Sequence, residues 1–135
     1  MAQKTLFDQT YARGKASFLI NLASAGAETI NVSALANATD SGTDDARVNI
    51  IDVEWSSAAG VTISWDATTD ETALNLSGNG AWKEIILPYS TASGATGDII
   101  VTAGSGVATV ILTVRKVAGF DARTDYTAVG SATYS

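Results

Sequence analysis

Apolar residues recur every second position along most of this 135-residue chain, and helical spacing is nearly absent. Phe18, Ile20 and Leu22 alternate in this way, as do Ile30 and Val32, and Leu74 and Leu76. Denser runs follow the same rule at residues 48–55, 61–65 and 107–117, and residues 85–87 and 99–101 are short and wholly apolar. Side chains two apart share one face of a strand, so this pattern dictates β-structure. Gly, Asn, Asp and Ser cluster at 25–26, 40–45, 77–80, 93–97 and 104–106, where they punctuate the runs. About eight or nine short strands at this spacing predict an all-β fold, an antiparallel β-sandwich of jelly-roll-like form.

One hairpin sorts its residues well. With residues 56–60 as a loop, Trp55 lies opposite Val61, Val53 opposite Ile63 and Ile51 opposite Trp65, all on an apolar face. Asp52 then opposes Ser64 and Glu54 opposes Thr62 on a wet face. A second hairpin, residues 99–103 with 107–114 across Gly104-Ser105-Gly106, is apolar on both sides. Its register puts Ile100, Val110 and Leu112 on one face and Ile99, Val101 and Ile111 on the other. An antiparallel sheet normally keeps one face in water. Ile99, Val101 and Ile111 are therefore expected to form a contact between copies of the chain.

The ends are polar, with isolated apolar anchors: Leu6, Phe7 and Tyr11 at one end, Phe120, Tyr126 and Tyr134 at the other. Such segments gain little by folding on themselves and order against a neighbour. The expected organisation is an N-terminal arm over 1–14, a β-domain over 15–118 and a C-terminal arm over 119–135, with Leu6, Phe7 and Tyr11 docking the first arm.

Composition narrows the chemistry. There is no His and no Cys, which excludes the nucleophile systems, thiol redox sites and zinc sites built from them. A net charge of −6 is unsuited to a phosphate backbone, so no nucleic acid is expected as partner. Lys4, Arg13, Lys15, Arg115 and Lys116 make only small basic spots, suited to acidic patches on a partner. Residues 107–114, the longest apolar stretch, fall short of the ~20 needed to span a bilayer, and residues 1–15 hold no signal-peptide core. No membrane partner, and synthesis in a cytoplasm, are the expectations. Only 16% of residues are charged while 46% are hydrophobic, which suits a surface partly covered by a partner.

Other candidate sites are sparse. Asp52 and Glu54, two apart on a strand, would set their Cα atoms roughly 6.6 Å apart, a spacing glycosidases use, but a solvated sheet face explains them better. Asp66, Asp70 and Glu71, and less so Asp40, Asp44 and Asp45, offer oxygen ligands suited to calcium but lack the spaced calcium-loop pattern. Trp55 and Trp65 fall on the apolar face, leaving Trp82 as the tryptophan expected at the surface. No cofactor and no catalytic residue is expected.

Residues 48–55 (VNIIDVEW) and 60–66 (GVTISWD), with 97–102 (GDIIVT) and 111–117 (ILTVRKV), resemble the small head decoration or cement proteins of tailed bacteriophages, of the marine and cyanobacterial type. The resemblance spans residues 48–117 and rests on strand pattern. It implies a homotrimer seated on the outer surface of the capsid, bound to the major capsid protein and strengthening contacts between capsomers, with synthesis in the bacterial host. It brings no catalytic residues. Two alternatives stand beside it: another virion component of tail, fibre or head–tail junction, and a carbohydrate-binding or adhesion module.

Overall fold

A computed structural model describes residues 3–10, 12–39 and 46–120. Within them the chain is all-β: β1 (Gln3–Asp8), β2 (Lys15–Leu22), β3 (Gly26–Ile30), β4 (Arg47–Trp65), β5 (Glu71–Trp82), β6 (Ile99–Ala103) and β7 (Ala108–Ala118), plus a 3-10 turn at Val32–Ala34. All pairings are antiparallel. The strands form one curled sheet in the order β1-β2-β7-β4-β6-β3, with β5 also paired to β4.

The 19-residue β4 organises the sheet. Its first part, from Arg47 to Ser57, pairs with β7, and its last part, from Val61 to Trp65, pairs with β6 along the same course. β2 pairs with β7 and β3 with β6, so β2–β3 and β6–β7 each act as one long strand broken in the middle. The breaks line up across the sheet. Leu22 pairs with Ala108, Ala108 with Ser57, and Ser57 with Gly78. Just beyond, Gly26 pairs with Ala103, Ala103 with Val61, and Val61 with Leu76.

Between these two rows lie Ala23-Ser24-Ala25, Gly104-Ser105-Gly106-Val107, Ala58-Ala59-Gly60 and Ser77. Small side chains let the sheet turn sharply here, and Gly60 and Gly106 take φ of 95° and 69°, which side chains rarely allow. The small-residue clusters that read as hairpin loops are therefore corners crossed by continuous ladders. Neither expected hairpin exists. Residues 56–60 bend β4 instead of reversing it, and β6 and β7 pair with β4 rather than with each other.

The concave side holds the core. Phe18, Ile20, Val48, Ile50, Val53, Leu112 and Val114 fill one half, and Ile30, Val61, Ile63, Trp65, Ile99 and Val101 the other. A bulge between Ile50 and Asp52 shifts the parity of β4, so Ile51 leaves the face shared by Ile50 and Val53. Ile85, Leu87 and Tyr89 pack against the core after β5, and Leu87 bridges to Ile50.

Residues 3–8, expected within a free arm, are the edge strand β1. Its Cα register runs from Gln3 opposite Ile20 to Asp8 opposite Ala16, with an irregularity between Thr5 and Phe7. Tyr11, Asp40, Asp44, Asp45, Tyr126 and Tyr134 lie outside the described residues.

Candidate functional site

The outer end of β7 carries a buried, fully engaged charged side chain, Lys116. Val110, Leu112, Val114 and Lys116 share the inward parity of β7, and all four are buried. Lys116 Nζ donates to Asp8 Oδ1 at 2.6 Å, to the Gln9 carbonyl at 2.6 Å and to the Ala36 carbonyl at 2.9 Å. An ammonium has three protons to donate, and each finds an oxygen. The Phe120 ring lies 5.1 Å from the same nitrogen. Asp8 is further held at Oδ2 by the Ala36 N–H. Lys116 thus joins β1, the turn after residues 32–34, β7 and Phe120, and it is no surface spot for an acidic partner.

β1 is tied at both ends. Beyond the Asp8 clamp, Gln3 Nε2 donates to the Thr29 carbonyl on β3 at 3.0 Å, across the open side of the curl. Between these ties the strand faces outward: Lys4, Thr5, Leu6 and Phe7 are all exposed, with Leu6 and Phe7 at 45% each. β1 ends the strand order, so its second edge has no neighbour among the described residues. It supplies no side chain to the buried core.

Of the three residues expected to join copies of the chain, two are unsuitable. Ile99 and Val101 are fully buried inside a single chain and have no surface to offer. Ile111 is half-buried on the outer face, opposite Leu19 and Glu54. The faces were exchanged because β6 and β7 meet at a corner: Ile99, Val101, Val110 and Leu112 point inward together, and Ile111 outward.

Asp52 and Glu54 do sit on the outer side, but opposite Thr113 and Ile111. Asp52 Oδ1 accepts the N–H of Glu84, a residue with φ of 55°. Glu54 forms a 2.7 Å ion pair with Lys83. That hydrogen bond to Glu54, reinforced by the negative charges of Glu54 and Asp52, raises the Lys83 pKa above its ordinary value.

Asp66, Asp70 and Glu71 serve separate ends. Asp66 Oδ2 accepts from the Thr96 hydroxyl at 2.7 Å, and Asp70 Oδ1 accepts the N–H of Ala67. Glu71 stands exposed at the start of β5. Among the described residues no three acidic side chains are grouped to hold a metal ion.

The tryptophans differ. Trp65 is buried, whereas Trp55 is half-buried at the rim of the core, its ring across Gly80 and its Nε1 donating to the Ser77 carbonyl at 3.0 Å. Trp82, at the end of β5, is 52% exposed, and nearby Ile86 is 73% exposed. No family model, no curated protein and no solved structure matches this chain.

Proposed function

We propose that this protein is a structural virion component, a decoration protein on the outer surface of a tailed-phage head that binds the major capsid protein and strengthens capsomer contacts. The observation that carries the reading is β1, an open sheet edge with Leu6 and Phe7 exposed along it. Unprotected edges present free N–H and C=O groups and readily add a strand from another chain. Lone soluble proteins guard such edges, and apolar side chains on one mark a surface meant to be covered. The strand pattern of residues 48–117 supplies the phage-head part of the reading. Function then lies in contact, without catalysis. In this reading the two halves of the curled sheet stack as a jelly-roll-like sandwich, and the protein assembles as a homotrimer after synthesis in the host cytoplasm.

The test is the gene neighbourhood, expected to encode a major capsid protein, followed by co-sedimentation with heads assembled from that protein. Wild-type protein is expected to bind to saturation. A Leu6→Ser/Phe7→Ser variant, which leaves Asp8 and its clamp in place, is expected to keep its thermal stability and lose binding. Full binding by that variant would remove β1 from the interface, and failure of the wild type to bind refutes the decoration reading. A clean monomer by light scattering refutes the trimer.

The exposed Trp82 ring favours a second reading, a sugar-binding adhesion module. Strong glycan-array signals abolished by Trp82→Ala would establish it in place of the first.

A further inference from the structure

The structure assigns a second recognition site to the opposite end of β4, a cleft that takes a protonated basic side chain of a partner protein. The cleft has a volume of about 280 Å³ and lies between the start of β5 and the segment after Leu87. Buried Trp65 and half-buried Tyr89 contribute its aromatic part. Leu87 and Pro88 add apolar wall, and Glu71, Thr72 and Thr91 bring the polar atoms.

Three observations select a cation. Among the described residues Glu71 is the single charged one lining the cleft, and no Lys or Arg lines it. Asp66 and Asp70 sit in the loop that leads into β5 on a chain of net charge −6, and Arg47, bound to the Ala95 and Thr96 carbonyls of the adjoining segment, does not line the cleft. Trp65 and Tyr89 both line the cleft, aromatic rings attract cations electrostatically, and a carboxylate beside such rings is the usual recognition chemistry for ammonium and guanidinium groups.

The state of the polar groups separates this cleft from its neighbours. Around Trp55, Glu54 is paired with Lys83, Ser56 Oγ donates to Asn79, and Thr109 Oγ1 donates to Asn21. Beside Lys15 and Arg115, Asp52 holds the Glu84 N–H, and Arg115 donates to the Arg13 carbonyl. In the Trp65–Tyr89 cleft, the side chains of Glu71, Thr72, Tyr89 and Thr91 make no hydrogen bond or ion pair to any described residue. The cleft walls are nevertheless fixed. The Tyr89 N–H donates to Asn49 Oδ1, and the 66–70 loop is tied to the 93–96 segment through Thr68 N–H to the Ser93 carbonyl and Thr96 N–H to the Asp66 carbonyl. A fixed, acidic, aromatic cleft with uncommitted acceptors is arranged for a cationic guest.

The site deepens the reading of the protein as one that works by contact, since the guest is a lysine or arginine side chain on the covered partner. Small probes test it without any capsid, so the site and the decoration role fail separately. Nα-acetyl-lysine amide, Nα-acetyl-arginine amide and neutral Nα-acetyl-norleucine amide are titrated into ¹⁵N-labelled full-length protein. Saturable amide shifts are expected around residues 65–73 and 87–91 with one or both cationic probes, and about tenfold weaker binding with norleucine, for which the cation–aromatic and ion-pair terms vanish. Glu71→Gln, at an exposed position, is expected to leave the thermal midpoint unchanged and weaken the cationic probes about fivefold or more. Tyr89→Phe retains the ring and is expected to bind as the wild type does. Equal binding of norleucine, shifts located elsewhere, an unaltered Glu71→Gln variant, or no saturable shift with either cation would each overturn the assignment.

Discussion

Lys116 offers the sharpest test of how this fold is held together. Its side chain is fully buried, and its partner Asp8 keeps 22% of its side-chain surface in water. Lys116→Met preserves most of the aliphatic stem and removes the charge. It leaves Asp8 with the Ala36 N–H and some hydration, and it strips the Gln9 and Ala36 carbonyls of a donor. Breaking a buried pair from one side typically costs about 3–5 kcal/mol, and the partial exposure of Asp8 places this variant at about 3 kcal/mol. Asp8→Ala strands the ammonium itself, fully buried, with two neutral carbonyls and a ring, so it belongs near the top of that range.

The double variant strands no charge. It retains the penalties of the two carbonyls and of the Ala36 N–H, which loses Asp8 as its acceptor, about 2–4 kcal/mol in total where water partly relieves them. The two substitutions should therefore couple by at least about 2 kcal/mol, the double variant being more stable than Asp8→Ala alone. Urea unfolding followed by tryptophan fluorescence measures all four proteins, with equal m-values required for the comparison. Additivity to within about 0.5 kcal/mol, or a Lys116→Met protein as stable as the wild type, refutes the buried clamp.

Two further outcomes follow from particular contacts. A Cβ on Gly80 would stand 2.7 Å from Trp55 Cζ2 and 2.9 Å from Cη2, so Gly80→Ala should push the indole off its Ser77 hydrogen bond, cost about 1–3 kcal/mol by urea unfolding and alter the tryptophan emission; an unchanged spectrum and stability would refute the contact. Lys83 has its folded pKa raised above 10.5 by Glu54, so the stabilising pair is fully present below that pH and is lost as pH rises through the folded value; the solvent exposure of both partners makes this a small, salt-screened loss, absent in Lys83→Met, and an identical alkaline profile in that variant would show that the pair contributes nothing.

The sequence by itself settled the all-β class, and it marked most of the core. Period-two alternation is a local property, since neighbouring side chains on a strand must point to opposite faces, and so Phe18 with Ile20, and Val53 with Ile63, were marked as core pairs, whereas 107–114 read as apolar on both sides and its inward face stayed undecided. The inward parity of Lys116 was legible as a continuation of Val110, Leu112 and Val114, although its charge led to its placement among the basic surface spots. What that lysine meets was not: Asp8 lies 108 residues away, and no local pattern records such a distance.

Tertiary structure alone decided whether a cluster of small residues reverses a strand or bends it. Ser56 to Gly60 and Gly104 to Gly106 suit a tight turn or a corner equally well, because both need small side chains and left-handed glycines. The choice was made by the neighbouring β2–β3 and β5, whose own small residues, Ala23-Ser24-Ala25 and Ser77, fall on the same row and let the whole sheet turn there with its ladders largely preserved. That decision turned Ile99 and Val101 inward, away from the face of Ile111. One bulge after Ile50 likewise removed Ile51 from the core face, because a single extra residue inverts the parity of everything beyond it. Alternation names the two faces of each strand, and only the packing of the folded sheet decides which of them is inside.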